Sequence, residues 1–280
     1  MTSIPLSTKL GAGYAEVIGD PIDHSLSPLI HTFWLAAVEV EASYTRRKVS
    51  RAELPAYLAE KRSDPAWRGS NVTMPLKLDA VALADGAADW AVTAGAANLL
   101  MMREGNLIAA NTDVGAIATL LSRLQQAKAR MGSVILLGNG GAARAALVAL
   151  KLVGLSNVRI QARDLGEATK LAVEFGLEAE PELFTAPIVS DGLINATPLG
   201  MAGRDCLNCD LDRMPGQGWV FDMVYDPAET PLIAAARARG LQTVDGLHML
   251  VEQAAASFKL FFGRDAPRDR DAELWQKLKS

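Results

Sequence analysis

Cysteine is nearly missing from this chain, with only Cys206 and Cys209 among 280 residues. Such scarcity excludes a disulfide framework and points to a reducing compartment. The pair forms a lone C-x-x-C. A structural zinc needs two more ligands, and a redox pair normally opens a helix, so a polar loop with reduced thiols is the simpler reading. Histidine is almost as scarce. His24, His31 and His248 show no H-x-x-x-H or carboxylate spacing, so no metal site is expected, and His31 falls on a helical stretch where packing is the default role.

Neither sign of charge dominates, and no apolar run is long. Lys and Arg number 28 against 32 Asp and Glu, a net charge of −4, and no basic block suggests nucleic acid. Runs such as Val134-Ile135-Leu136-Leu137 fall far short of a membrane span. Residues 1–10 have no apolar core followed by a cleavage site, so no secretory signal is read there. Asn71-Val72-Thr73 and Asn195-Ala196-Thr197 match a glycosylation acceptor pattern that means little without export. Repeats and low-complexity linkers are missing too. These absences leave a soluble, cytoplasmic protein with small-molecule chemistry, and a hydrophobic share of 50% supplies substantial cores.

A glycine-rich turn stands in the middle of the chain. Residues 133–137 read as a buried strand, followed by Gly138-Asn139-Gly140-Gly141-Ala142-Ala143-Arg144 and an alanine-rich helix. This is the strand–turn–helix setting of a dinucleotide fingerprint: Gly138 permits the tight turn, Gly140 lets backbone approach a pyrophosphate, and the helix start offers N–H groups to the anion. From residue 132 strands alternate with helices: strands at 134–137, 158–161, 193–194, 219–221 and 242–244, and helices at 142–153, 165–175 and 231–239. That alternation predicts a parallel sheet covered on both faces.

A domain's length of chain precedes the fingerprint. It reads as strands at 15–19 and 44–49, with helices at 28–40, 54–60, 78–84 and 117–124, while 67–73 runs into Pro75, which limits any helix until after it. An apolar helix at 247–262 lies beyond the nucleotide unit, with room to pack back on the first domain. The prediction is an α/β chain with an N-terminal substrate domain, residues 1–112 completed by 246–280, and a nucleotide domain, 113–245, with a cleft between them.

Polar islands in the first part carry the candidate chemistry. In Ser25-Leu26-Ser27-Pro28, Pro28 suits a first helical position, which makes Ser27 a good N-cap. Two serines spaced so in an extended segment also face one side, beside a helix N-terminus that favours anions, and together they suit a carboxylate. Lys77 follows Pro75-Leu76 in an otherwise uncharged stretch. Alone it reads as a surface lysine, and Asp113 alone reads as a cap or first-turn acid. A Lys–Asp pair in a cleft is instead a workable proton-transfer unit.

Taken together, these segments resemble the shikimate dehydrogenase family. Residues 19–28 resemble its G-x-P-I-x-H-S-x-S-P opening, 71–77 its N-V-T-x-P-x-K, 95–98 its G-A-V-N, and 111–113 its N-T-D. Further on, 138–144 resemble G-x-G-G-x-x-R, and 195–201, 222–225 and 246–253 also match. The matches run in order from about residue 17 to 260. The resemblance implies a Rossmann-type second domain and reversible NADPH-dependent reduction of 3-dehydroshikimate to shikimate, by a monomer or homodimer. It implies Lys77 and Asp113 as the catalytic pair. Ser25 and Ser27 would take the substrate carboxylate, and Asn71, Thr73, Asn98, Asp113, Tyr225 and Gln253 would surround the ring. The cofactor would meet Gly138, Asn139, Gly140, Gly141, Ala142, Arg144, Arg163, Asp164, Thr197, Met223 and Gly246.

The chain departs from the family pattern at Leu99, where threonine is usual, at Ala116, where glycine is common, and at Asn139, where alanine is frequent. After the second strand of the nucleotide unit the family's N-R-T becomes Ala162-Arg163-Asp164. Arg163 suits the 2′-phosphate of NADP, while Asp164 can repel it or accept the ribose hydroxyls of NAD. NADP is the expectation. A relative acting with NAD on quinate or another cyclic acid is the alternative within enzymes, and a non-catalytic nucleotide sensor the alternative outside them.

Overall fold

A computed structural model describes residues 13–207 and 209–278. The ten N-terminal residues read for an export signal lie outside the described residues, as does Asn208 inside the C-x-x-C. The chain divides into two compact units: one holds the described part of 1–92 with 96–112 and 253–280, the other 93–95 and 113–252.

The first unit is built on β1 (Gly13–Gly19), α1 (Ser27–Ala37), β2 (Ala42–Lys48), α2 (Leu54–Arg62), β3 (Trp67–Val72), α3 (Lys77–Leu83), β4 (Gly86–Ala87), α4 (Asp89–Ala94), β5 (Leu99–Arg103) and β6 (Asn106–Ala110). Its six strands run in the order β2-β1-β3-β5-β6-β4. The β1/β2, β1/β3 and β4/β6 pairs are parallel, and β5 is antiparallel to both neighbours. The segment 86–110 was read with no elements, yet it holds three strands and a helix. Its hairpin turns on Glu104 (φ 53°) and Gly105 (φ 81°), the paired positive values a two-residue connection requires. A glutamate there is a weak turn signal, and Leu, Met and Ala on the flanking strands lack the β-branched signature.

Two expectations about α1 are corrected. It stops at Ala37 rather than 40, because Glu39 takes a left-handed φ of 53°. Ser27 is not the N-cap: Leu26 holds that position in a helical conformation with no side-chain cap, and Ser27 is already in the helix. Neither is the Ser25 segment extended, since the Ser25 N–H closes a turn on Ile22 O at 3.0 Å.

A charged pair lies inside this unit. Lys61 Nζ is 3.2 Å from Glu16, and both side chains are only 4–5% exposed. The Tyr57 hydroxyl donates to Glu16 at 2.8 Å and Lys61 donates to Tyr14 at 2.7 Å, so the buried charges are hydrogen-bonded as well as paired.

The second unit contains α5 (Asp113–Gln126), β7 (Val134–Leu137), α6 (Gly141–Leu152), β8 (Val158–Ala162), α7 (Leu165–Phe175), β9 (Glu182–Leu183), β10 (Gly192–Asn195), β11 (Trp219–Asp222), α8 (Pro231–Ala238), β12 (Gln242–Val244) and the first residues of α9 (Gly246–Phe262). The rest of α9 and α10 (Asp271–Leu278) belong to the first unit. The six strands are all parallel in the order β12-β11-β10-β7-β8-β9. That is the doubly wound dinucleotide-binding order, with its switch point between β7 and β10. Asp113 opens α5, so of its two local readings it is a first-turn acid. No described helix is long and apolar enough to cross a membrane.

Candidate active site

Ligands of open α/β sheets sit beyond the carboxyl ends of parallel strands. In the first unit that edge carries Ser25, Ser27, Asn71, Thr73 and Asn98 of the predicted substrate residues, while Asp113 and Tyr225 belong to the second unit. Ser25 and Ser27 follow β1, and both are buried. The Ser27 N–H donates to Ser25 Oγ at 3.4 Å, Pro28 has no N–H, and the N-cap residue Leu26 makes no side-chain cap, which leaves the Leu29 N–H at the start of α1 for an anion. Thr73 and Lys77 follow β3, with the Thr73 N–H bonded to Ile18 O at 2.9 Å. The Lys77 carbonyl accepts from the Ala97 N–H at 2.8 Å, which ties the start of α3 to the approach to β5.

Asn71 and Asn98 anchor a buried polar network. Asn71 Oδ1 accepts from the Tyr44 hydroxyl at 2.7 Å, and its Nδ2 donates to Asn98 O at 3.2 Å and Ser257 Oγ at 2.9 Å. Asn98 Oδ1 accepts from the Thr112 N–H at 2.7 Å, and its Nδ2 donates to Thr112 Oγ1 at 2.8 Å and Gln253 Oε1 at 3.3 Å. Ser257 Oγ donates to Gln253 O at 3.0 Å and lies 3.1 Å from Thr112 Oγ1. The network thus brings together Asn71, Asn98 and Gln253 and places Thr112 directly before Asp113. Tyr44, Thr112 and Ser257 were missed as functional residues. Ser257 had a legible signal: it lies one helical turn after Gln253, on the same face of α9.

In the second unit the glycine turn follows β7. Gly138 has φ +102°, and an added Cβ would stand 3.0 Å from Thr197 Cγ2. Gly140 precedes α6 with no side-chain cap, and nothing lies within 4 Å of where its Cβ would be. Open space over an uncapped helix start fits a pyrophosphate. Thr197 is fixed by Asn195: its N–H and Oγ1 donate to Asn195 Oδ1 at 3.0 and 2.7 Å. Asn195 Nδ2 in turn donates to Asp222 Oδ1 at 2.9 Å, while Thr230 Oγ1 donates to Asp222 Oδ2 at 2.6 Å. Burial raises the Asp222 carboxyl above its ordinary range. This pair holds the loops that carry Thr197, Met223 and Tyr225, and the Met223 N–H bonds Asn195 O at 3.0 Å. A Cβ on Gly246 would collide with the backbone of Met223 and Val224, so α9 starts there on glycine.

Arg144 and Asp164, both predicted cofactor positions, are engaged within the protein. Arg144 forks onto Glu174, with bonds of 2.6 and 2.7 Å, and also donates to Ala94 O at 3.2 Å. Asp164 is the N-cap of α7, accepting the Glu167 N–H at 3.1 Å, and Arg163 stands exposed beside it. Cys206 is exposed and Cys209 half-buried, with burial raising the Cys209 thiol to about 11. Among the described residues no group of three or more His, Cys, Asp and Glu is placed to hold a metal ion.

Comparison with known proteins covers nearly the whole chain. Residues 17–100 match the shikimate dehydrogenase substrate binding domain, and 246–273 match the shikimate 5′-dehydrogenase C-terminal domain. A shikimate dehydrogenase (NADP(+)) of Sphingopyxis alaskensis is 45% identical over 96% of this chain and 98% of its own length. The crystal structure of a Thermus thermophilus shikimate 5-dehydrogenase in complex with NADP(H) and shikimate superposes with a TM-score of 0.82 at 33% identity, covering 95% of this chain and 99% of that one. A quinate dehydrogenase from Corynebacterium glutamicum in complex with NAD gives a TM-score of 0.80 at 28% identity, covering 95% and 100%.

Proposed function

The chain belongs to the shikimate dehydrogenase family, and from that premise we propose how its residues carry out the reversible NADP-dependent oxidation of shikimate to 3-dehydroshikimate. The nicotinamide of NADP(H), when bound, supplies or accepts the hydride. Gly138, Asn139, Gly140, Gly141 and Ala142 hold its pyrophosphate at the start of α6, and Arg163 pairs with its 2′-phosphate. Thr197, Met223 and Gly246 border the nicotinamide end. Arg144 acts on this site through its fork to Glu174, which braces the end of α7 against α6.

Lys77 Nζ takes the proton from the substrate hydroxyl during oxidation and returns it during reduction. Asp113 orients that ammonium from the first turn of α5. Ser25 and Ser27, with the Leu29 N–H at the start of α1, bind the carboxylate. Asn71, Thr73, Asn98, Tyr225 and Gln253 take the ring hydroxyls, and a substrate lacking one leaves a buried group unpaired. The reaction is placed in the cytoplasm, in a monomer or homodimer.

The observation that carries this reading is the buried Asn71–Asn98–Gln253 network of the first unit, because a cluster of fixed polar groups suits a polyhydroxy acid. The test is initial-rate nicotinamide reduction with shikimate or quinate crossed against NADP or NAD. Turnover with shikimate and NADP above the other three combinations supports it. Turnover confined to quinate with NAD would replace it, a second reading favoured by the acidic Asp164 beside Arg163.

A further inference from the structure

We propose that Tyr44 is a positioning residue for substrate binding: its hydroxyl fixes the Asn71 carboxamide so that this amide meets the substrate only as a hydrogen-bond acceptor. The inference rests on the reading of Asn71 as a substrate ligand.

The orientation of the amide follows from its neighbours. Asn98 O, 3.2 Å away, is a carbonyl and can only accept, so the side of Asn71 that faces it must be the NH2 group. The second N–H of that group points to Ser257 Oγ at 2.9 Å. Ser257 has spent its own proton on Gln253 O at 3.0 Å, so toward Asn71 it accepts. Both amide protons are therefore committed inside the protein. The oxygen then faces Tyr44, and the phenol donates to it at 2.7 Å. One lone pair of Asn71 Oδ1 is left, and it suits a hydroxyl of the substrate and not a carbonyl.

Tyr44 is well held for this role. It is 4% exposed, its ring stacks on His31 with centroids 4.0 Å apart, and Phe261 tilts against it at 6.4 Å. The phenol arrives from β2, an edge strand otherwise lined by Arg46, Arg47 and Lys48, and nothing in that pattern marks it as part of a binding site.

The experiment is Tyr44→Phe, which keeps the stacked ring and removes only the donor. The KM for shikimate is expected to rise five- to tenfold, with kcat and the KM for NADP each within twofold of wild type and the thermal midpoint nearly unchanged. Ser257→Ala, which frees one amide proton, should raise the same KM. In an Asn71→Ala background, Tyr44→Phe should add less than twofold, because the residue it acts through is gone. If Asn71→Ala leaves the KM for shikimate unchanged, the reading of Asn71 as a ligand falls, and this inference with it. If Asn71→Ala raises that KM but Tyr44→Phe does not, or if the two effects multiply, the positioning role alone is overturned.

Discussion

The imidazole of His31 lies flat on the phenol ring of Tyr44, with planes 2° from parallel and centroids 4.0 Å apart. His31 is fully buried, and neither ring nitrogen has a hydrogen-bond partner among the described residues. Burial lowers its pKa from 6.5 to about 3. In the folded protein it is therefore a neutral aromatic plate between α1, β2 and α9, not an acid or a base.

That state has a pH signature. Below about pH 6.5 the unfolded chain binds a proton at His31 that the folded chain refuses until about pH 3. Its contribution is complete above pH 6.5 and is lost as pH falls, at about 1.4 kcal/mol per pH unit. His31→Phe removes this linkage and keeps the stack. Denaturant unfolding of the two proteins at pH 7.5 and 4.5 should show the variant losing about 2–3 kcal/mol less on acidification. Parallel losses would mean that His31 is protonated in the folded state.

Lys61 and Glu16 test the interior of the first unit. Removing one member of a buried, hydrogen-bonded pair strands the other charge, at a cost of about 3–5 kcal/mol. Lys61→Met should lower stability by roughly that amount in urea unfolding, leaving Glu16 with the Tyr57 hydroxyl as its remaining donor. A loss below about 1 kcal/mol would place the pair in water.

Asp164 separates helix capping from cofactor charge. Asp164→Ala should cost about 1 kcal/mol, because the Glu167 N–H loses its acceptor. Asp164→Ser keeps an acceptor and removes the negative charge beside Arg163, so stability should hold while the KM for NADP falls relative to that for NAD. An equal change in both KM values would show that Asp164 does not face the 2′ position.

Most of the second unit was legible because β7, β10 and β11 are short apolar runs bounded by glycine or polar turns, and α7 and β12 stand where the periodicity put them, whereas the two-residue edge strand β9 (Glu-Leu) carries no such run and was not read. The first unit was harder. Its β5–β6 hairpin is built from Leu, Met and Ala around a Glu-Gly turn, so neither propensity nor turn chemistry announced it. Ser27 misled in a different way, since a serine before proline is the usual cap signal and only the helical backbone of Leu26 shifts the helix start. The polar islands at 71–77, 98 and 111–113 were visible as residues. That Tyr44 and Ser257 hold them was not, since those contacts span 27 and 186 residues of chain.

The central claim is that Lys77 moves the proton. It is tested most directly by measuring kcat of Lys77→Met beside shikimate binding by calorimetry. The account predicts a fall in kcat of about 10²-fold or more, the usual scale of a lost acid–base group, with affinity for shikimate changed only a few-fold. A kcat close to wild type, or a loss that appears only as weaker binding, would contradict it.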